Sequence, residues 1–188
     1  LKTVLLTSNL HELEAMQALT EKFGLEFRYD STLWPRLDGS KANLQYQIGN
    51  QEILKLDLAD PKRREAWEKT AMEYDGRLLR AENVFSCGAG ERSFHIDSKG
   101  RLNPCMMVRR PSYDILQMGF SEAWKKLGEI RHMKRKQKTA CETCPAGTLC
   151  THCPGWSLAF YGDYESIAQD ICEMGNIRQA IFTKASVL

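Results

Sequence analysis

The chain has 188 residues, of which 43% are hydrophobic, enough for one or two globular domains. Its 26 basic and 24 acidic residues leave a net charge of +2, and so even a balance does not favour nucleic acid or an anionic membrane as a partner. Its apolar runs fall far short of the roughly 20 residues of a membrane-spanning helix, and no export signal is evident, so we expect a cytoplasmic protein.

The first eighty residues predict two strand-helix units. Residues 3 to 7 form a continuous apolar segment, typical of a strand that is buried on both faces of a parallel sheet. Asn9 is expected to cap the next helix, with Glu12 completing a capping-box-like pair, and Gly24 to end it. The buried stripe predicted for this helix consists of Leu10, Leu13, Met16 and Leu19.

The second unit begins with a strand in LEFRYDSTLWP, which ends at Pro35. After a polar segment, a helix is predicted to start at Asp60-Pro61, a cap followed by proline in the first turn, and to close at Gly76. One side of it is expected to present Trp67, Ala71 and Tyr74. Two parallel strands alone cannot satisfy their edges, so the pattern predicts the end of a larger α/β sheet or barrel, or strands supplied by a partner chain.

From Cys87 onward the alternation stops, and glycine and cysteine become frequent. SFHIDSKGRLNPC predicts a β-hairpin in which Phe94 and Ile96 alternate with polar neighbours. Its turn is expected at residues 97 to 100, and its return strand runs to Cys105.

Three helices are predicted in the remainder of the chain. The first, at about residues 121 to 132, is capped by Ser121 and turns its apolar side inward. That side consists of Trp124, Leu127 and Ile130. A short helix leads to Cys172, and a closing helix lies near residues 176 to 184. Aromatic side chains near the cysteine-rich stretch are interpreted as packing residues rather than electron relays: Trp156, Phe160 and Tyr161.

The seven cysteines carry the chemical signal. An odd number leaves one thiol outside a closed set of disulfides. They make up about 4% of the residues, below the roughly 8 to 10% of a disulfide-built secreted scaffold, which favours metal binding or catalysis. CETCPAGTLCTHC, residues 141 to 153, holds two Cys-x-x-Cys pairs that are five residues apart.

Zinc and iron-sulfur clusters are the two alternatives. Zinc ribbons separate their pairs by roughly 15 to 20 residues, and a four-cysteine zinc site would leave three thiols that cannot form a second all-cysteine tetrahedron. His152 could complete a zinc site, although a histidine beside a metal more often orients a ligand or packs. Seven thiolates suit one fully ligated 4Fe-4S cluster and one with an open or non-cysteine position.

A run of positive charge precedes the cysteine-rich stretch. RHMKRKQK, residues 131 to 138 and hereafter the basic connector, carries five Lys and Arg side chains. Such runs are most often solvated, so a mobile connector is expected. The alternative to a redox function is a zinc-binding interaction module that uses the basic connector as its docking surface.

The cysteine spacing resembles the seven-cysteine SPASM domain, the auxiliary-cluster extension at the C-terminus of many radical S-adenosylmethionine enzymes. The pattern is Cys87, Gly100-x4-Cys105, Cys141-x2-Cys144-x5-Cys150-x2-Cys153 and Cys172. Four further segments are similar to parts of the family's domain. They are the hairpin (FHIDSKGRLNPC), the connecting helix (GFSEAWKKLGEIR), the cluster loop (LCTHCPG) and the exit from it (YGD). One spacing departs: two residues precede Cys153, where the family usually has three.

The resemblance implies an α/β chain of two domains. Residues 1–82 would be the last two strand-helix units of a partial (β/α)6 radical SAM barrel, and residues 83–188 a small α+β SPASM domain with a hairpin, Cys-rich loops and a C-terminal helix. Two auxiliary 4Fe-4S clusters are implied. The proximal set of ligands would be Cys87, Cys105 and Cys153. The distal set would be Cys141, Cys144, Cys150 and Cys172.

The resemblance also implies an activity for the full-length enzyme. In the family, a third 4Fe-4S cluster on a Cys-x3-Cys-x2-Cys loop cleaves S-adenosylmethionine to start radical chemistry. These residues contain no Cys-x3-Cys, so the catalytic half is expected to be missing, disordered or on another polypeptide. A peptide or protein substrate that is oxidised or crosslinked is implied, with flavodoxin or ferredoxin as electron partner. Met106 stands where sulfatase-maturing members carry a catalytic Asp, which disfavours formylglycine formation.

Three residues at strand ends are weaker candidates. Asn9, Arg28 and Asp30 would lie near the mouth of a barrel, where such folds bind ligands, and are candidates for binding the cofactor. The competing interpretations are a helix cap for Asn9 and a surface ion pair between Arg28 and Asp30.

Overall fold

The computed structural model describes residues 1–73 and 82–183. The chain forms two compact units, Leu1–Ala66 and Trp67–Leu188. Helices and small sheets occur together, as predicted. In the described ranges, every helix is too short or too polar to cross a membrane. The predicted domain boundary between residues 82 and 83 adjoins residues outside these ranges and stays a prediction.

The first unit opens with two parallel strands. β1 (Lys2–Val4) pairs with β2 (Arg28–Asp30), and Thr3 lies opposite Tyr29. The predicted parallel pair is confirmed, but β1 is shorter than residues 3 to 7 and is not buried on both faces. Val4 is exposed, whereas Leu5, one residue past the strand, is completely buried. The described part of this unit therefore holds a two-stranded sheet, and the barrel stays a proposal.

The helix between these strands begins with a 3-10 turn at Leu10–Glu12 and continues as α1 (Leu13–Lys22). Gly24 ends it as predicted, with a φ of 62° that suits glycine. The predicted buried stripe is wrong at Leu19, which is 51% exposed. Thr20 is buried in its place, and its hydroxyl donates to a carbonyl one turn earlier.

Two helices follow where one was predicted. α2 (Asn50–Ala59) went unpredicted because the residue before it, Gly49, has no side chain that could act as a capping signal. α3 (Pro61–Glu73) starts at the predicted Asp60-Pro61, and the Asp60 carboxylate accepts two N–H groups of the first turn at 2.9 and 3.3 Å. The remaining predictions for this helix fall outside the described residues: Tyr74 and Gly76.

A buried ion pair joins α2, α3 and β2. Asp57 on α2 is completely buried, and its carboxylate accepts from Arg63 Nη2 at 2.6 Å and Nε at 3.1 Å. The Arg63 guanidinium also stacks on Tyr29, 4.6 Å from the ring centre. Burial raises the pKa of the Tyr29 hydroxyl, and the positive charge of Arg63 partly offsets that rise.

Replacement of Arg63 by alanine should destabilise the first unit. The change strips the guanidinium from a completely buried carboxylate, which costs about 3 kcal/mol. Urea unfolding of the chain, with hydrogen exchange read in α2 and β2, measures the loss. Arg64→Ala is the control: Arg64 is exposed, so its loss should cost less than about 0.5 kcal/mol. Equal effects of the two changes would contradict the assigned role of Arg63.

The second unit contains a three-stranded antiparallel sheet. β3 (His95–Ile96) pairs with β4 (Arg101–Asn103), which confirms the hairpin. β5 (Tyr113–Asp114) adds to the other edge of β4 and went unpredicted because two residues carry no readable alternation. The turn forms as expected: the Asp97 carboxylate accepts the N–H groups of Lys99 at 2.9 Å and of Arg101, the first residue of β4, at 3.0 Å, and Gly100 has a φ of 72°.

The hydrophobic side of the hairpin differs from the prediction. Leu102 is completely buried, but Phe94 and Ile96 are 47% and 40% exposed. Phe94 packs edge-on against Phe120 and Trp124, with ring centres 5.4 and 5.5 Å apart, at the rim of the core.

The helices of this unit begin earlier than predicted. α4 (Ile115–Met118) is followed by α5 (Phe120–Gly128), which starts after Gly119, so Ser121 is not its cap. Leu127 and Ile130 are buried as expected. α6 (Pro154–Tyr161) begins directly after Cys153. α7 (Gln169–Phe182) is one continuous helix that carries Cys172 in its first turns, where two helices were predicted.

Candidate metal centre

All seven cysteines are free thiols, and all but Cys172, which lies in α7, are on loops and short turns. Cys87 precedes β3 and Cys105 follows β4. The stretch from 141 to 150 consists of two successive 3-10 turns, Ala140–Thr143 and Gly147–Cys150. The local structure therefore presents sulfur atoms from turns and from helix starts, where backbone N–H groups are available to them.

Four of the thiols act on one another. Burial raises the pKa of the Cys150 thiol, and the neighbouring thiols of Cys141, Cys144 and Cys172 raise it further. Burial also raises the pKa of Cys141, with smaller contributions from Cys144 and Cys172. These four residues are the distal set.

The other three thiols form a second group at the start of α6. Burial raises the pKa of the Cys153 thiol, and the thiols of Cys105 and Cys87 raise it further. The N–H groups of Gly155 and Trp156, in the first turn of α6, oppose this rise because they stabilise a thiolate. These three cysteines are the proximal set, so each set has its own electrostatic neighbourhood.

The chain passes from one set to the other within four residues. Only Thr151 and His152 separate Cys150 from Cys153. Thr151 has a φ of 56°, a left-handed conformation that is costly for a β-branched residue. We attribute this strain to the sharp change of direction that the two thiols require.

α7 packs directly on the second of the cysteine-bearing turns. A Cβ atom added at Gly175 would lie 2.6 Å from Cys150 Cα and 3.1 Å from its nitrogen, so no side chain fits there. Cys172 and Gly175 are three residues apart and share one face of the helix. The bare backbone at Gly175 thus allows α7 to bring Cys172 beside Cys150.

Gly175→Ala should separate α7 from the cysteine-bearing turn. The added methyl meets backbone atoms that cannot move aside, and overpacking of this kind costs about 1 to 3 kcal/mol. Thermal unfolding and faster alkylation of Cys150 in the metal-free protein would report the change.

Gly128→Ala on α5 is the matched control. Its Cβ would lie 3.6 Å from the nearest atom outside its own helix, an ordinary contact, so stability should be unchanged or slightly higher. Wild-type alkylation rates in Gly175→Ala would contradict the role assigned to this glycine.

The basic connector is fixed in place, contrary to the prediction of a mobile segment. The Arg135 N–H donates to the Glu82 carbonyl at 2.9 Å. The Lys136 N–H donates to the Glu165 carboxylate, with both oxygens 3.1 Å away. The charge pattern predicted solvation, but backbone hydrogen bonds on both sides hold the segment against the rest of the unit.

One basic side chain of the connector ties down the proximal set. Arg131 donates to the carbonyl of Cys87, and its guanidinium lies 3.0 Å from the Glu91 carboxylate. The basic connector therefore helps to fix the position of Cys87 in the proximal set.

A cavity of about 230 Å³ lies between the two sets. Its walls include members of both sets, together with charged and polar side chains of the neighbouring segments. These lining residues include Cys87, Cys153, Cys141, Arg135, His152 and Glu165.

His152 is held by protein groups. Its Nε2 lies 3.2 Å from Ser157 Oγ, and the Ser157 hydroxyl donates its single proton to the Ser166 carbonyl at 2.6 Å. Nε2 therefore carries the proton and donates to Ser157. Burial lowers the pKa of His152, which favours the neutral ring. The ring orients the cysteine loop through this chain of hydrogen bonds.

Within residues 1–73 and 82–183, no three His, Cys, Asp or Glu side chains are close enough to hold a single metal ion. In a cubane cluster each thiolate binds a separate iron, so its cysteines need not converge on one point. Two groups of free thiols with backbone N–H donors beside them fit this chemistry. The donor set therefore fits iron-sulfur clusters.

The strand-end candidates lie in the first unit. Asn9 stands at the predicted N-cap position, before the 3-10 turn, but its side chain makes no capping hydrogen bond: its Oδ1 accepts from the Leu6 N–H at 2.8 Å, and its Nδ2 donates to the Val4 carbonyl at 3.1 Å. The side chain stabilises the turn after β1, because both of its hydrogen bonds go to backbone groups of that turn. Asn9 and Asp30 therefore both lie at the carboxyl ends of the strands.

The predicted pair between Arg28 and Asp30 is also wrong. Arg28 pairs with Glu26 at 3.0 Å and Asp30 with Lys2 at 2.9 Å. Glu26 lies two residues before Arg28, and Lys2 lies on the neighbouring strand β1. Arg28 opens β2, at the opposite end from Asp30.

Sequence reasoning missed several residues that shape the site. Gly175 had a readable signal, an isolated glycine within a helical pattern three residues after a cysteine. Arg131 and Arg135 were hidden in a charge run, whose contacts cannot be read from composition. Thr151 adopts a left-handed backbone conformation, and the sequence gives no sign of it because threonine normally avoids that conformation.

Comparison with known families identifies part of this unit. The sequence model of the SPASM family, an iron-sulfur cluster-binding domain, matches residues 87–145. No curated protein matches the chain significantly. The family match includes four of the seven cysteines: Cys87, Cys105, Cys141 and Cys144. The three beyond it lie near these four, since Cys150 and Cys172 neighbour Cys141, and Cys153 neighbours Cys87 and Cys105. The family match supports iron-sulfur binding by this part of the chain.

Proposed function

We propose that residues 83–188 form a SPASM domain that binds two auxiliary 4Fe-4S clusters, one by the proximal set and one by the distal set. The observation that carries this proposal is the division of the seven thiols into two electrostatic groups, of three and of four. Four thiolates complete one cluster. Three leave a position open to solvent, substrate or another side chain.

Backbone N–H groups of the chain donate to three of the sulfurs that would bind iron. When bound, such clusters supply single-electron transfer. The α6 amides lie at Cys153, the Val108 N–H donates to Cys105 Sγ at 3.3 Å, and the His152 N–H donates to Cys150 Sγ at 3.5 Å. Hydrogen bonds to ligand sulfur favour the more negative state of a cluster, so these donors contribute to its potential.

We further propose that the chain is the C-terminal part of a radical SAM enzyme that oxidises or crosslinks a peptide or protein. A third 4Fe-4S cluster and S-adenosylmethionine would bind on a Cys-x3-Cys-x2-Cys loop outside these residues, with flavodoxin or ferredoxin as electron partner. Asn9 and Asp30, at one end of the parallel strands, support the cofactor assignment better than Arg28 does. If the gene encodes no Cys-x3-Cys-x2-Cys sequence upstream of these residues, this part of the proposal is wrong.

The metal content of the protein tests the cluster proposal. Anaerobic reconstitution with iron and sulfide should give a brown protein with about eight irons and about eight sulfides per chain. Inductively coupled plasma analysis, sulfide assay and absorption spectra measure this. One or two zinc ions in a colourless protein would instead favour the zinc-binding interaction module.

Two single replacements test the division of ligands. Cys153→Ala should remove the proximal cluster and leave most of the distal one, because Cys153 interacts with the proximal thiols. Cys172→Ala should do the reverse, because Cys172 interacts with Cys150 and Cys141. Iron counts and Mössbauer spectra of both variants provide the measurement.

The two variants serve as controls for each other. Each removes one thiol from the same domain, so a general loss of folding would affect both equally. Loss of the distal cluster in Cys153→Ala, with retention of the proximal one, would show that the assignment is wrong.

A further inference from the structure

Cys87 is the least anchored of the three proximal cysteines. It is exposed, and within the part of the chain that the structure describes its one hydrogen bond is the one that its carbonyl accepts from Arg131. We propose that Arg131 is a positioning residue that keeps Cys87 within reach of the proximal cluster. This inference rests on the proposed function, since it assumes that the proximal set binds a cluster.

The other two proximal cysteines are held by backbone groups close to them. Cys105 packs against a buried hydrophobic cluster that includes Val108, and its sulfur accepts the Val108 N–H at 3.3 Å. The Cys153 carbonyl accepts the Trp156 N–H at 3.0 Å in the first turn of α6. Both of these hydrogen bonds come from the backbone, whereas the one at Cys87 comes from a side chain 44 residues away.

The chain is anchored on both sides of Cys87, but not at Cys87 itself. Phe85 is 2% exposed and belongs to the same hydrophobic cluster as Val108. After Cys87, the Gly88 carbonyl accepts three N–H groups of the turn that follows, at 2.8 to 3.1 Å. Between these anchors, and among the described residues, Ser86 makes no hydrogen bond. The contact with Arg131 is therefore what fixes this part of the loop.

Arg131 is suited to this role by its place in the fold and by its head group. It follows Ile130, which is 4% exposed in the hydrophobic cluster. One guanidinium nitrogen donates to the Cys87 carbonyl, and another lies 3.0 Å from the Glu91 carboxylate. The side chain is 23% exposed, so water competes little for these contacts. A planar guanidinium makes both contacts in a fixed geometry that a lysine ammonium does not reproduce.

The small number of proximal ligands makes this contact important. If Cys87 moves away, only Cys105 and Cys153 remain, too few thiolates to retain a 4Fe-4S cluster. The distal set has four thiolates of its own. Loss of the Arg131 contact should therefore affect the proximal cluster and spare the distal one.

Release of iron to a ferrous chelator tests this inference on the reconstituted chain. Arg131→Met removes the donor and keeps a side chain of similar length. Loss of a hydrogen bond from a charged donor should make the proximal half of the iron leave about tenfold faster than in wild type. Mössbauer spectra of Cys153→Ala and Cys172→Ala identify which cluster remains. Arg131→Lys keeps a donor without the planar fork, so its rate should be intermediate.

Two further variants act as controls. Arg92→Gln removes a 78% exposed charge that lies 4.0 Å from the same Glu91 carboxylate, so both clusters should be retained. Arg131→Met added to Cys87→Ala should cause no further loss of iron than Cys87→Ala alone, because Arg131 acts through Cys87. A role in general stability would instead make the two effects add.

Each remaining outcome decides one of the two claims. A wild-type chain that binds no clusters overturns the proposed function. If both clusters form in wild type and Arg131→Met releases iron at the wild-type rate, this inference alone is overturned. Equal loss of both clusters in Arg131→Met also overturns it, since the role would then be structural. If Arg131→Met fails to fold, faster release of proximal iron in Arg131→Lys supports the inference, and the wild-type rate overturns it.

Discussion

The cysteine loop must serve two groups of thiols with only two residues between Cys150 and Cys153. This constraint explains much of the second unit. The chain reverses at Thr151 in a strained conformation, α6 starts immediately at Cys153, and α7 closes on the turn that carries Cys150. Because the loop belongs to both groups, a displacement of the loop would disturb both of them.

Without metal, ionisation of the buried thiols is unfavourable. Burial and neighbouring thiols raise the pKa values of Cys141, Cys150 and Cys153, so without metal these side chains retain their protons at neutral pH. Iron must displace these protons, and its binding energy then becomes folding energy. The core of this part of the unit is small, and the bound clusters would supply cohesion that apolar packing does not.

Local chemistry was readable in the sequence, and packing was not. The hairpin turn at residues 97 to 100 and the helix start at Asp60-Pro61 formed as predicted because the side chains that define them bond to their own neighbours. Asn9 failed as a cap because a strand end competed for the same side chain. The division of the thiols was implied by a family resemblance, but spacing alone left it open, since it depends on contacts between distant segments.

The contact of α7 with Cys150 also bears on how related sequences can be recognised. The last cysteine is followed, three residues later, by a glycine on the same helical face, so Cys172 and Gly175 form a short pattern, Cys-x2-Gly. The first position supplies a ligand, and the second permits the helix to reach the loop. A chain that keeps the cysteine but carries a larger residue at the second position must hold its last helix farther out, with a different loop beneath it.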